Sequence, residues 1–202
     1  MKARIILDLC DGSGSWSKPY QDNGYDVRLI TLPNNDVLTY KPPKNVYGIL
    51  AAPPCTAFSI TGKQDRKEMK KNMIIVNACL RIIKECNLKF WALENPVGYL
   101  HQYIGKPNFI FHPYQYGDGW TKKTAIWGNF NIPEKLYNKD TCPKADLYTR
   151  KDRNYPCIVS SWKNLIMKLP QMSPYKDYVK TNSDARAITP PGFAMAFYMA
   201  NR

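Results

Sequence analysis

Two side chains of this sequence are suited to covalent chemistry, and each stands directly after a short apolar run. Cys55 follows Pro53 and Pro54, so its thiol is both placed and exposed, as a nucleophile must be. Glu94 ends a later apolar run, where a carboxyl group needs a polar partner. The plainer roles are packing of a buried cysteine and capping of a helix by the glutamate. Together the two residues favour nucleophilic attack on a substrate that a carboxylate binds.

These residues stand at the ends of predicted strands. Short apolar runs alternate with helical stretches, and an apolar stripe at spacings of three and four predicts a helix at 67–86. Such alternation is typical of an α/β fold with a mostly parallel sheet that helices cover on both faces. Ligands of such sheets bind beyond the carboxyl ends of the strands. The predicted strands are 4–9, 25–30, 46–51, 90–93 and 124–127.

A glycine-containing turn follows the first predicted strand. Gly12 and Gly14 form a single Gly-x-Gly before a helix that begins at about Ser15, so the backbone can approach a nucleotide-like ligand. No third glycine follows, so an adenosyl group without a pyrophosphate fits the pattern better than a dinucleotide. An ordinary glycine turn is the alternative interpretation.

The chain divides into a regular part and an irregular one. Prolines and polar residues interrupt the pattern at 131–184, and an apolar helix at 193–200 closes the chain against the sheet. We therefore predict a catalytic domain of residues 1–130 together with 185–202, and a small irregular substrate-contacting segment at 131–184. The length of 202 residues suits this organisation.

An excess of basic residues indicates a polyanionic partner. The chain has 29 Lys and Arg against 16 Asp and Glu, and nucleic acid is the commonest large polyanion in cells. A basic cluster at 63–71 follows the predicted catalytic loop and suits phosphate contacts, although such a run can also be a solvated helix face. No apolar run is long enough for a membrane helix and no Cys-x-x-Cys spacing occurs. We expect a cytoplasmic protein with reduced cysteines, and neither a membrane nor a metal as partner.

The ordered motifs of the chain resemble those of the DNA (cytosine-5) methyltransferases, and of the small bacteriophage forms in particular. The matching segments are Asp8 to Gly14, Pro54-Cys55, Glu94-Asn95, 116–128 and 188–193. This resemblance implies a Rossmann-like S-adenosylmethionine-dependent methyltransferase fold. It also implies DNA as the partner, a bacterial cell or a phage-infected host as the setting and, as we expect, a monomer.

The resemblance further implies a role for each matching residue. The Cys55 thiolate adds to C6 of cytosine, Glu94 hydrogen-bonds the ring, and C5 then takes the methyl group of S-adenosylmethionine; in duplex DNA the base must leave the stack. The expected catalytic residues are Cys55, Glu94, Asn95 and Lys123. The expected cofactor contacts are Asp8, Cys10, Gly12, Gly14, Trp16, Thr31, Asp36, Pro53 and Thr189. The expected nucleic-acid contacts are Lys63, Arg66, Lys67, Lys122, Arg150, Lys151 and Arg153.

The chain departs from the family pattern at several positions. Cys10 stands where the family usually has Phe, Thr31 where it usually has an acidic residue, and Thr124 where it has an arginine. The long target-recognition domain is absent, so we expect a short or relaxed sequence context. The alternatives are the same chemistry on RNA or on a free cytosine nucleotide, and a non-catalytic protein that binds cofactor and nucleic acid.

Overall fold

A six-stranded sheet forms the centre of the structure. The computed structural model of the chain describes residues 3–60, 65–143, 157–158 and 162–202. In spatial order, the strands of the sheet are β2 (Asp26–Ile30), β1 (Ile5–Leu9), β3 (Val46–Ala51), β4 (Phe90–Pro96), β7 (Thr124–Asn129) and β5 (Phe109–Phe111). Two further strands, β6 (Trp120–Thr121) and β8 (Cys157–Ile158), pair with each other.

The direction of the strands confirms a mostly parallel sheet with one reversed strand. The strands β2, β1, β3 and β4 run parallel, whereas β7 is antiparallel to both β4 and β5. A parallel return to the sheet needs a crossover of a dozen or more residues, usually a helix. Between β5 and β7 the chain has only a 3₁₀ turn (Pro113–Tyr116) and the two-residue β6, so β7 comes back in the opposite direction.

Helices cover both faces of the sheet, as predicted. On one face, Val76, Cys79 and Ile82 pack against buried strand residues such as Leu7 and Leu93. On the other face, aromatic residues of the N- and C-terminal helices pack against alternate strand residues, Ile6 and Leu50 among them. The helices are α1 (Lys18–Asp22), α2 (Arg66–Lys84), α3 (His101–Ile104), α4 (Trp162–Lys168), α5 (Asn182–Ala187) and α6 (Pro191–Asn201).

The segment that the sequence leaves irregular is more ordered where the structure describes it. Helix α4, a 3₁₀ turn (Pro170–Tyr175) and helix α5 pack around a separate apolar cluster that includes Ile166, Met172 and Ile188. Each of these helices is only one or two turns long, which is too short to show a helical repeat of apolar residues. The prolines interrupt the pattern further, so the sequence does not predict these helices. Within the described ranges, no helix is both long and apolar enough to cross a membrane.

Candidate active site

A buried carboxylate fixes the glycine loop that follows β1. The Asp11 side chain accepts hydrogen bonds from the backbone amides of Ser13 (2.9 Å), Gly14 (3.1 Å) and Trp16 (3.2 Å). Gly14 adopts a φ of 62°, a region that favours glycine. Asp11 was missing from our predicted site, although an Asp two or three residues before such amides is a recognisable turn signal.

Three predicted cofactor contacts, Asp8, Trp16 and Thr189, belong to this loop or to the segments next to it. Asp8 is fully buried and accepts a 2.5 Å hydrogen bond from the Ser17 hydroxyl, and its burial raises the pKa of the carboxyl well above its ordinary value. The backbone amide of Thr189 donates to the Ser15 hydroxyl at 2.8 Å, which brings the last sequence motif to the loop. Trp16 is also fully buried, and its indole packs on the aromatic cluster of α6 rather than facing a cavity.

Two cavities lie at the carboxyl edge of the parallel strands, and both are lined by Cys10 and Pro54. The first, which we call the apolar cavity, has a volume of about 220 Å³ and is walled by aliphatic side chains with Thr31 and Asp36 among them. One oxygen of Asp36 accepts from the backbone amide of Leu38 at 2.9 Å. Aliphatic walls beside a single carboxylate and a hydroxyl suit an adenosyl group.

The second cavity, which we call the reaction cavity, has a volume of about 180 Å³ and contains the predicted nucleophile and carboxylate. Cys55 enters it from the end of β3, and Glu94 enters it from the neighbouring β4. Burial and then the Glu94 charge raise the pKa of the Cys55 thiol, whereas the positive charges of Lys122 and Arg186 lower it. The thiol therefore depends on these two cations to form a thiolate.

Asn95 positions the loop that carries the thiol. This residue is fully buried in β4, and its side-chain amide donates to the Pro53 carbonyl at 3.1 Å. Its side-chain oxygen has no hydrogen-bond partner among the residues that the structure describes. Asn95 thus holds the Pro53-Pro54-Cys55 turn against β4, and it is absent from the walls described for the reaction cavity.

Lys122, and not Lys123, is the lysine of the reaction cavity. Lys122 lines the cavity and lies within 3.5 Å of Glu94, while the neighbouring Lys123 is exposed. The sequence motifs indicate a catalytic role for Lys123 and a nucleic-acid contact for Lys122, but of these two lysines it is Lys122 that lines the reaction cavity. The predicted contacts Arg66 and Lys67 are exposed in the first turn of α2. Lys63, Arg150, Lys151 and Arg153 lie outside the described residues.

One wall of the reaction cavity comes from residues that sequence reasoning missed. These residues belong to α5 or precede it, far along the chain from Cys55, and no motif marked them. They are Tyr178, Ser183, Arg186 and Ala187. In the part of the chain that the structure describes, no group of three or more His, Cys, Asp and Glu side chains is arranged to hold a metal ion.

Comparison with known proteins identifies related sequences for part of the chain. Residues 16–108 match the model of the C-5 cytosine-specific DNA methylase family. The Type II methyltransferase M.DdeI of Desulfomicrobium norvegicum is 31% identical over 119 residues, which cover 47% of this chain and 28% of the relative. The chain therefore spans less than a third of that curated relative.

Solved structures resemble the fold over more of the chain. The Entamoeba histolytica methyltransferase EhMeth gives a TM-score of 0.54 at 12% identity, covering 98% of this chain and 97% of that one. Spodoptera frugiperda DNMT2 gives a TM-score of 0.42 at 16% identity, covering 78% of this chain and 54% of that one. The chain therefore shares the fold of EhMeth, an α/β fold built on a mostly parallel sheet.

Proposed function

We propose that the chain methylates C5 of cytosine in DNA, because residues 16–108 match the model of the C-5 cytosine-specific DNA methylase family. The observation that carries this proposal is the pairing of Cys55 with Glu94 in one cavity, next to a second cavity suited to an adenosyl group. Cys10 and Pro54 line both cavities, so the two cavities are adjacent.

The chain's residues fit S-adenosylmethionine as the cofactor, which supplies an electrophilic methyl group when bound. Asp36 has one carboxylate oxygen engaged by the Leu38 amide, so the other can accept from an adenine amine. Thr31 offers a hydroxyl in the same cavity, and Gly12 exposes backbone at the entrance to the reaction cavity. Cys10 leaves the adenine without an aromatic neighbour at this position, so we expect cofactor affinity of about micromolar or weaker.

The residues of the reaction cavity account for activation of the cytosine. The Cys55 thiolate, stabilised by the nearby cations, forms a bond to C6, and the electrons of the C5–C6 double bond become available at C5. Glu94 hydrogen-bonds the far edge of the ring and favours protonation of N3, which draws off the negative charge. C5 would then take the methyl group as its bond to the sulfonium sulfur breaks, with the neutral thioether S-adenosylhomocysteine as the leaving group. A solvent water would accept the C5 proton, and the re-formed C5–C6 double bond would expel the Cys55 thiolate.

The charge of the chain favours a nucleic acid over a free nucleotide as the substrate. A net charge of +13 suits a polymer of phosphates better than a free nucleotide. In duplex DNA the target base has to swing out of the stack to reach Cys55. Within this sequence the segment 131–184 is the one expected to read base edges, and its small size leads us to expect a short context of about two to four base pairs.

Two experiments test this function. Labelled S-adenosylmethionine is incubated in parallel with duplex DNA, single-stranded DNA, RNA and dCMP, and label is expected in duplex DNA. DNA that carries 5-fluorocytosine should form a covalent adduct, because fluorine cannot leave C5 as a proton does. The adduct should vanish in Cys55→Ser and persist in Cys86→Ser, a half-buried free cysteine outside the cavities. An adduct in Cys55→Ser would refute the assignment of the nucleophile.

A further inference from the structure

Three hydrogen-bond donors line one wall of the reaction cavity without an identified hydrogen-bond partner. They are the phenol of Tyr178, the hydroxyl of Ser183 and the guanidinium of Arg186. None of these side chains has such a partner among the residues that the structure describes. All three belong to the segment that leads into and forms α5, so a single piece of chain presents them to the cavity.

The backbone of this wall is fixed in place. Ser183 and Arg186 lie three residues apart in α5 and therefore share one face of the helix. A reciprocal pair of hydrogen bonds between Thr181 and Asp184 caps the helix, and Lys122 Nζ donates to the Arg186 carbonyl at 2.8 Å. The Tyr178 ring lies over the glycine loop, with its hydroxyl 2.8 Å from the place a Cβ on Gly12 would occupy.

Among the residues that the structure describes, no carboxylate forms an ion pair with Arg186 in the cavity. Two carboxylates also line it, but Asp11 is engaged by the amides of the glycine loop and Glu94 by Lys122. Asp184 accepts from the backbone amides of Lys180 and Thr181. A guanidinium with two neighbouring hydroxyl donors is a set that proteins use to bind phosphate oxygens.

We propose that Tyr178, Ser183 and Arg186 bind the phosphate group attached to the target nucleotide, while its base occupies the cavity beside Cys55. The identity of the base rests on the proposed function, but binding of the phosphate does not depend on methyl transfer. In this arrangement α5 holds the nucleotide by its backbone, and Glu94 holds it by its base.

The test measures how well two ligands protect Cys55 from alkylation. The protein reacts with iodoacetamide in the presence of S-adenosylhomocysteine and either dCMP or deoxycytidine, and mass spectrometry of the Cys55 peptide gives the rate. We expect dCMP to protect the wild-type protein at about tenfold lower concentration than deoxycytidine, because only dCMP carries the phosphate. In Arg186→Met this ratio should fall to about twofold or less, with smaller reductions in Ser183→Ala and Tyr178→Phe.

A matched variant and a second ligand separate the possible outcomes. Arg4→Met removes an exposed arginine that stacks on Tyr47 before β1, and it should keep the wild-type ratio. Equal protection by both ligands in the wild type, or an unchanged ratio in Arg186→Met, would overturn the proposal. The proposal would also be overturned if Arg186→Met lost affinity for S-adenosylmethionine while the ratio of the protecting concentrations of deoxycytidine and dCMP stayed unchanged. Arg186 would then bind the cofactor and not the phosphate. If the protein transfers methyl groups but dCMP and deoxycytidine protect Cys55 equally, only the phosphate site is refuted. If dCMP protects Cys55 better than deoxycytidine but no methyl transfer is detected, only the proposed function is refuted.

Discussion

The ammonium group of Lys122 lies 3.5 Å from Oε1 of Glu94 and donates at the same time to the Arg186 carbonyl. Both charged side chains are only 15% exposed, so the pair is less screened by solvent than a surface ion pair. Lys122 thus orients the carboxylate at the end of β4 and ties it to the wall that α5 forms. Lys122 can therefore affect both the thiol of Cys55 and the carboxylate of Glu94.

Replacing Glu94 by Gln should move thiol reactivity and methyl transfer in opposite directions. The Glu94 charge raises the pKa of Cys55, so its removal lowers that pKa and the thiol reacts faster with iodoacetamide near neutral pH. Methyl transfer should fall by about 100-fold or more, because the ring loses the group that favours a protonated N3. Pseudo-first-order alkylation rates and transfer rates of the same preparation provide the comparison. A parallel fall of both rates would indicate a distorted cavity instead.

Replacing Lys122 by Met should slow both reactions. The Lys122 charge lowers the pKa of Cys55, so its loss raises that pKa and shifts the alkylation profile to higher pH. Transfer should fall by about 100-fold, since the thiolate and the Glu94 orientation are both affected. The control is Lys123→Met, which removes an exposed charge of the same sign one residue away. Matching pH profiles for the two variants would show that Lys122 does not act on the thiol.

Two glycines with left-handed backbone allow strain to be separated from ligand binding. Gly14 has a φ of 62° in the loop that Asp11 holds, and Gly24 has a φ of 81° with open space around it. Alanine at either position should lower the free energy of unfolding by about 1–2 kcal/mol. Only Gly14→Ala should also weaken S-adenosylmethionine binding in calorimetry. Unchanged affinity in Gly14→Ala would contradict the assignment of the glycine loop to the S-adenosylmethionine site.

Asp118 should make stability depend on pH. Burial raises the pKa of this carboxyl to about 7 from an ordinary 3.8, although it accepts a 2.9 Å hydrogen bond from the Gly192 amide at the start of α6. The folded chain therefore holds a proton between about pH 4 and 7 that the unfolded chain has released. As pH rises through this window, the free energy of unfolding should fall by on the order of 4 kcal/mol.

The control for this effect is Asp118→Asn, which keeps an acceptor for the Gly192 amide but does not titrate. Urea unfolding of both proteins at pH 5, 6, 7 and 8 gives the difference between their free energies of unfolding. The buried carboxyl of Asp8, whose pKa is also raised, is present in both proteins, so its contribution cancels in this difference. That difference should favour the wild type most at pH 5 and level off above about pH 7. A difference independent of pH would show that Asp118 keeps its ordinary pKa in the folded protein.

The strands and the proximity of Cys55 and Glu94 could be predicted because the pattern of the sequence leaves little choice. The run at Val46–Ala51 is almost entirely apolar and buried, and its predicted and observed bounds agree. Neighbouring parallel strands end at the same edge, so Cys55 and Glu94 had to lie near each other. Such inferences need only local composition and the rule for where parallel strands end.

Side-chain direction and distant contacts could not be predicted in the same way. Lys122 and Lys123 lie in the loop between β6 and β7, outside the register of β7 with β4, so no strand pattern decides that Lys122 rather than Lys123 lies against Glu94. Trp16 follows the glycine loop in sequence, but its indole finds a better apolar environment against α6. The contact of α5 with the cavity joins parts of the chain far apart in sequence, without any periodic signal.

The reversed direction of β7 determines where foreign sequence can be inserted. The loops that enter the parallel strands lie at the edge opposite to Cys55, and the turn at 23–25 is one of them, with exposed or half-buried residues. The loop that enters β7 is the exception, because it delivers Lys122 to the reaction cavity. A fluorescent label or a fused DNA-binding module inserted at 23–25 should therefore leave methyl transfer unchanged, whereas the same insertion at 122–123 should abolish methyl transfer.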